Sequence, residues 1–278
     1  DVFGTPYERQ MHYHAAHDIG HMMQGFMLVG CSSCASWGEC TDDGRLIVGR
    51  NFDFWMGDDF AKNRQVVFAF PEKGYKYASV SWPGMTGVVS GMNEKGLAVG
   101  VLLIDTTPTN QNTKKVDITT TTAIRMMLDK AKNVDEALAL LSSYDMHSSA
   151  NSCYHFQICD ASGKSVVVEY VDDEMKVVYP DKNYQCATNF LLTNPDAEFN
   201  FGQDRYQIID EKLSSTNGVL SNTEAMQLLS DCSQDAHKNK QGKISKTQWS
   251  CVYDLKNKKV TICVNQNYNA KYTISVLE

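Results

Sequence analysis

The chain has 278 residues, a net charge of −7 at pH 7 and an apolar fraction of 42%. That length can bury a large core in one domain, and the acidic balance argues against nonspecific nucleic-acid binding, which needs a basic face. Apolar runs such as Phe26 to Val29 and Leu97 to Ile104 are too short to span a bilayer and read as core.

The chain starts at Asp1 with neither an initiator Met nor a secretory signal, which reads as a sequence trimmed by biology or by cloning; this leaves the compartment open, with an exported or periplasmic protein whose signal is already removed as the favoured expectation. Apolar spacing predicts a helix over Pro6 to Phe26. It carries His12, His14, His17 and His21, the last three on one face with Asp18 a turn after His14. That face is either a metal site or a histidine-rich amphipathic surface. Strands are expected at Arg45–Arg50, Gln65–Phe70, Tyr77–Trp82, Gly87–Met92 and Leu97–Ile104, separated by Pro-Gly and Asn-Glu-Lys-Gly turns. A polar loop follows at Thr106–Thr113. Helices are expected at Ala123–Ala131, with a threonine cap among Thr119–Thr122, and at Val134–Ser143. Strands return at Cys153–Asp160, Ser165–Tyr170 and Met175–Val178. Beyond a loop at Ala187–Asn200 come helices at Tyr206–Leu213 and Thr223–Cys232. Trp249–Leu255 and Lys259–Val264 close as a hairpin. Strands in blocks, then helices, then strands favour an α+β sandwich of antiparallel sheets covered by helices, in one domain.

Nine cysteines are scattered along the chain without the paired CxxC spacing of a zinc site. Cys31 and Cys34 form a single CxxC, but strand and hairpin follow it rather than the helix a redox motif needs. The informative stretch is Gly30 to Phe54, GCSSCASWGECTDDGRLIVGRNFDF. A Gly-Cys pair opens a strand, Asp-Asp-Gly reverses it, and the return strand ends in Arg50-Asn51-Phe52-Asp53. The open ends of a hairpin lie side by side, so a thiol meets a cation and a carboxylate. Positive charge beside a thiol favours the thiolate, which makes the cysteine a candidate nucleophile.

This hairpin resembles the nucleophile hairpin of N-terminal-nucleophile (Ntn) hydrolases. The branch it is most similar to is the penicillin V acylase and choloylglycine hydrolase superfamily, and within it the isopenicillin N acyltransferase-like autoproteolytic group related to acid ceramidase. Gly91–Leu97 (GMNEKGL), Ala187-Thr188-Asn189 and Asp204-Arg205-Tyr206 match further family segments in the family's order. The resemblance implies a four-layer αββα sandwich and a precursor that cuts itself before a cysteine. Residues 1–30 would be a propeptide or a retained light chain, and 31–278 the catalytic domain. It also implies cleavage of a linear nonpeptide amide, such as an N-acyl amino acid or N-acyl amine, or acyl transfer, with no cofactor, no metal and no nucleic acid. A homo-oligomer is compatible with it, and so is a noncatalytic binding protein of the same fold. The freed α-amine, titrating near neutrality, would act as the base, and Gly30 would let the scissile bond strain. Cys31, with glycine before it, is the preferred nucleophile; Cys34, whose spacing to Arg50 and Asp53 suits the bile-salt hydrolases, is the alternative. By the same resemblance Arg50 would hold the thiolate, Asp53 the new α-ammonium, Asn189 the oxyanion and Arg205 the polar network. The family often carries an asparagine after the GMNEKGL strand, where this chain has Leu102, Leu103 and Ile104. Trp55, Met56, Trp82 and Met85 are candidates for an acyl pocket or for core.

Overall fold

Two antiparallel sheets face each other. The computed structural model describes residues 5, 31–36, 46–55 (Trp55 by its backbone alone), 62–196, 201–238 and 244–277. The first sheet has the order β12 (Tyr184–Ala187), β1 (Cys31–Ser36), β2 (Ile47–Trp55), β14 (Ile244–Asp254), β15 (Lys259–Val264) and β16 (Lys271–Ser275), with the short β13 (His237–Lys238) also on β14. The second runs β11 (Glu174–Val178), β10 (Ser165–Val171), β9 (Cys153–Cys159), β6 (Ala98–Ile104), β5 (Ser90–Asn93), β4 (Tyr77–Ser81) and β3 (Gln65–Ala69). Helices α1 (Thr120–Lys130) and α2 (Val134–Ser142) cover the second sheet, packing on β5, β6 and β9. Helices α3 (Gln203–Ser215) and α4 (Asn222–Asp231) cover the first, packing on β1, β12, β2 and β14. The expected four-layer αββα sandwich is therefore the fold.

Strands buried on both sides read as continuous apolar runs; all seven residues of β6 (AVGVLLI) are buried. Edge strands β3 and β16 show the mixed exposure of a one-sided surface. Asn93 fixes the GMNEKGL turn. Its Oδ1 accepts from Lys95 N and Leu97 N, each at 3.0 Å, and its Nδ2 donates to Leu128 O (2.9 Å) and Ala131 O (2.8 Å) at the end of α1. Those helix-end carbonyls have no intrahelical donor, so the asparagine supplies one.

Several expectations shift. The strand expected at Gly87–Met92 is Ser90–Asn93, because Val88 N binds Thr121 O (3.0 Å) and Val89 O is taken by Val101 N (3.0 Å). Helix α1 begins at Thr120, and Thr119 caps it by position only: its hydroxyl goes to Thr122 Oγ1 at 3.0 Å. Strands β12 and β16 and the small parallel pair β7 (Val116–Thr119) with β8 (Tyr144–His147) were absent from the sequence reading. They are short, and pairing with partners already in the fold, distant for β12, β7 and β8 and the neighbouring β15 for β16, makes them strands. The helix over Pro6 to Phe26, with its histidine face, lies outside the described residues.

Candidate active site

The β1–β2 pairing sets Cys31 opposite Phe52, Ser33 opposite Arg50 and Cys34 opposite Gly49. Side chains alternate along a strand. Cys31 and Ala35 accordingly belong to the core between the sheets, whereas Cys34 belongs to the core under α3 and α4. Gly49 leaves room for Cys34: a Cβ there would lie 2.9 Å from its Sγ. The sheet separates Cys34 from Arg50, and burial pushes the Cys34 thiol up to about 11.

Arg50 crosses from the first sheet to the second. Its Nη2 lies 3.7 Å from Cys31 Sγ and also donates to Val101 O, while Nη1 reaches Ser90 Oγ at 3.3 Å. The guanidinium sits 5.0 Å from the Phe52 ring centroid and is buried. It fits because residue 100 is glycine; a Cβ there would come within 2.8 Å of Arg50 Cδ. The β5–β6 ladder ends at the Ser90–Gly100 pair. Beyond it, β6 keeps backbone carbonyls on the vacated side. Val101 O takes Arg50, and Leu103 O takes Asn189 Nδ2 at 2.7 Å. The Leu-Leu-Ile stretch thus contributes to the site through its backbone.

Asn189 follows β12. Its Oδ1 accepts from Cys31 N and from Arg205 Nη2, both at 2.8 Å. Two donors on one side and one carbonyl on the other fix the orientation of the amide. Arg205, in the first turn of α3, also donates through Nη1 to Cys31 O and to Ser32 Oγ (2.8 Å). Gly202 makes this possible. Its φ is +89°, and a Cβ would lie 2.5 Å from Arg205 Nη2.

Asp53 points to the helix side of the sheet. A bulge in β14 pairs Thr247 with Asp53 and Trp249 with Phe52, so two residues of one strand face opposite sides of its partner. Thr247 Oγ1 donates to Asp53 Oδ1 at 2.5 Å. Trp249 stacks on Phe52, with ring centroids 4.3 Å apart. Asp53 Oδ2 has no hydrogen-bond donor among the described residues; its nearest cation is Arg205 Nη1 at 3.8 Å. Burial raises the Asp53 carboxyl to about 6, against the lowering pull of Arg205, Thr247 and Arg50. Burial likewise raises the Cys31 thiol, while Arg50 pulls it down.

Of the five expected residues, Arg50, Asn189 and Arg205 touch Cys31, and Asp53 lies next to Arg205, with one difference in detail. The acceptor on the Cys31 nitrogen is Asn189 Oδ1, whereas the Asp53 carboxyl faces Arg205. Missed by sequence reasoning were Thr247, Ser90 and the β6 carbonyls, none of which carries a local signal. Beside Cys31 opens a narrow cleft of about 40 Å³ lined by Phe52, Phe54, Val89, Val101, Leu103 and Tyr154, with Thr120 and Thr121 at the start of α1. Trp82 and Met85 are not in this lining. Trp82 packs behind it on Phe52 and Phe54, and Met85 packs against the core. Met56 and the Trp55 side chain lie outside the described residues. A wider hollow of about 360 Å³ between β11, β12 and α3 includes neither Cys31 nor Arg50. No cluster of metal-ligating side chains occurs among the described residues.

The fold is that of the Ntn hydrolases. Conjugated bile acid hydrolase from Clostridium perfringens superposes with a TM-score of 0.68 over 88% of this chain and 92% of its own, at 16% identity. Penicillin V acylase from Agrobacterium tumefaciens gives 0.60 over 89% and 87%, at 19% identity. The Caenorhabditis elegans ortholog of N-acylethanolamine-hydrolyzing acid amidase gives 0.58 over 81% and 93%, at 15% identity. At such identities the likeness is one of fold. The family model for acyl-coenzyme A:6-aminopenicillanic acid acyl-transferase matches residues 40–269, and the chain belongs to that family. An uncharacterized protein of Archaeoglobus fulgidus is 24% identical over 159 residues, 56% of this chain and 26% of that protein. A penicillin V acylase of Pectobacterium atrosepticum is 31% identical over 117 residues, 38% of this chain and 31% of the acylase. The chain thus spans about a third or less of the length of these two relatives. No described helix is long and apolar enough to cross a membrane.

Proposed function

We propose that this chain is a cysteine Ntn hydrolase that cuts itself before Cys31 and then cleaves a linear nonpeptide amide, an N-acyl amino acid or N-acyl amine. One observation carries the reading. The nitrogen, sulfur and carbonyl oxygen of Cys31 are each held by a different buried side chain: Asn189 Oδ1, Arg50 Nη2 and Arg205 Nη1. A buried backbone nitrogen needs an acceptor, and a side-chain acceptor such as Asn189 Oδ1 stays in place when that nitrogen becomes the α-amine that serves as base.

In the precursor, Cys31 Sγ attacks the Gly30 carbonyl carbon, the peptide nitrogen leaves as the α-amine, and water hydrolyses the resulting thioester. Residues 1–30 depart as a propeptide or stay as a light chain. In turnover, the α-amine takes the thiol proton and Sγ adds to the substrate carbonyl. Of the two N–H groups on Asn189 Nδ2, one stays on Leu103 O; we assign the other to the oxyanion. Such a donor contributes about two orders of magnitude in rate. The leaving amine takes the proton back, and water releases the acyl group from Cys31. Arg50 balances the thiolate. Asp53 balances Arg205 and, across it, the new α-ammonium held by Asn189. The apolar cleft beside Cys31 supports an apolar acyl group. The membership in an acyl-transferase family supports a second reading, in which an amine replaces water in the last step.

Intact-mass measurement of the wild type, Cys31→Ala and Cys34→Ala tests the proposal. A cut before Cys31 that only Cys31→Ala abolishes is the expected result. Loss of the cut only in Cys34→Ala would move the nucleophile, and an uncut chain with full amidase activity would end the free-amine mechanism. A cut chain inert toward every N-acyl amide tried would point to a binding protein.

A further inference from the structure

A second buried polar group lies behind the site. The side chains of His155 in β9 and Glu169 in β10 are wholly buried, with Nδ1 3.2 Å from Oε1. His155 Nε2 lies 2.8 Å from Thr188 O, the carbonyl immediately before Asn189. Glu169 Oε1 also accepts from Leu192 N (2.7 Å), and Oε2 accepts from Thr193 N (3.1 Å) and Thr193 Oγ1 (2.7 Å). Thr188 O and Glu169 Oε1 are both acceptors, and the His155 ring lies between them. Burial pushes the Glu169 carboxyl up, but the hydrogen bonds from His155, Thr193 and Leu192 outweigh it and hold it below the ordinary range.

Strand β12 ends at Ala187, and beyond it the sheet pairing of the segment from Thr188 to Thr193 is reduced to one isolated bridge, Asn189 with Phe201, where Phe201 N lies 3.5 Å from Asn189 O. We propose that His155 and Glu169 are positioning residues, a buried clamp that grips this segment on both sides of Asn189 and so holds its side chain against the Cys31 nitrogen. Neither can touch a substrate. Both act through the peptide that carries Asn189, and the role rests on the reaction proposed above. Thr188 Oγ1, which donates to Gly202 O at 2.9 Å, ties the same segment to the turn that seats Arg205. Misplacing a positioned group by about 1 Å costs about a hundredfold in rate, which sets the scale of the effect.

The test compares two substitutions that each keep one half of the histidine. His155→Gln places an amide nitrogen near the Nε2 position and retains a donor for Thr188 O. His155→Asn places one near Nδ1 and retains the contact with Glu169. The readouts are the rate of self-cutting, kcat and KM on an N-acyl aminocoumarin, and hydrogen exchange of the Asn189 side-chain amide by NMR. For His155→Asn, self-cutting and kcat are expected to fall about a hundredfold with KM little changed, and the Asn189 amide to exchange at least about tenfold faster. His155→Gln is expected to stay within about fivefold of the wild type in all of these. Equal losses in the two variants, or losses that follow thermal stability alone, would overturn the clamp. If His155→Asn fails to fold, Thr193→Val, which deletes one hydroxyl donor to Glu169, is expected to speed Asn189 amide exchange several-fold; unchanged exchange would overturn the clamp. Wild-type protein that never cuts, but still shows the amide difference between the variants, would refute the Cys31 mechanism and leave the clamp standing.

Discussion

Arg50 is a buried cation whose hydrogen-bonding partners lie on the opposite sheet. Arg50→Met removes the charge beside Cys31 and leaves Val101 O and Ser90 Oγ without their donor. The expected outcome is a loss of about 1 to 3 kcal/mol in stability and at least about a hundredfold in kcat, read by denaturant unfolding and steady-state kinetics. Arg50→Lys is expected to recover little, because one ammonium cannot replace a fork that spans thiol and carbonyl. Asp53 makes a pH prediction. Its folded carboxyl is raised from 3.8 to about 6, so the folded chain holds that proton more tightly than the unfolded one. The resulting stabilisation is complete below about pH 4 and is lost as pH rises through about 6. Asp53→Asn, placed in the Cys31→Ala background to keep the chain whole, is therefore expected to gain on its parent as pH rises. The gain reaches about 2 to 3 kcal/mol by neutral pH, measured as denaturation free energies at about pH 4 and pH 7.5; a difference that is flat with pH would refute it. The adjacency of Cys31, Arg50 and Asp53 was legible because a hairpin converts sequence order into neighbourhood. The places of Asn189 and Arg205 followed only from resemblance, since no local rule links residues so far apart. Thr247 was illegible because a bulge, which alternation does not foresee, turns it toward Asp53.

At the scale of elements, two glycines carry the site. Gly100 lets Arg50 pass beneath β6, and Arg50 is held at its far end, so it has little freedom to move aside. Gly100→Ala is expected to keep the fold, lower the melting temperature and cut activity about tenfold or more through a displaced guanidinium; unchanged kinetics would refute the close approach. At Gly202 the backbone is left-handed and the missing Cβ is the space Arg205 occupies. Gly202→Ala is expected to cost about 1 to 2 kcal/mol for the conformation alone, with a further loss of self-cutting as Arg205 leaves Cys31 O. The long strands and the four described helices were readable from periodicity. Their caps came from the structure: Ser221 and Glu224 form a reciprocal capping box at α4, and Asn133 accepts from Glu136 N at α2. Strands of four or five residues such as β12 and β16 were not, because segments that short carry too little pattern to outweigh the loop alternative. It is β12 that delivers Asn189 to Cys31.

Over the whole molecule, order is set by position in the sandwich. Strands β2, β14, β6 and β9 lie inside their sheets with neighbours on both sides, whereas β3 and β16 are edges with exposed residues. Native-state hydrogen exchange is expected to be slowest in the former, near the global unfolding limit, and orders of magnitude faster in the latter; a fast-exchanging β6 or β9 would contradict the packing. The amino-acid sequence by itself determined an α+β sandwich of antiparallel sheets, the hairpin that opens at Cys31 and the acidic net charge, since these follow from short-range periodicity, turn chemistry and composition; the count of four layers came from the family resemblance. Only the tertiary structure decided which face of β1 each cysteine takes, which atom receives the Cys31 nitrogen, and that Asn189 hangs between β6 and a buried histidine. Those outcomes depend on how two sheets stack and on which backbone groups their ladders leave unpaired, and such quantities exist only once distant strands have met.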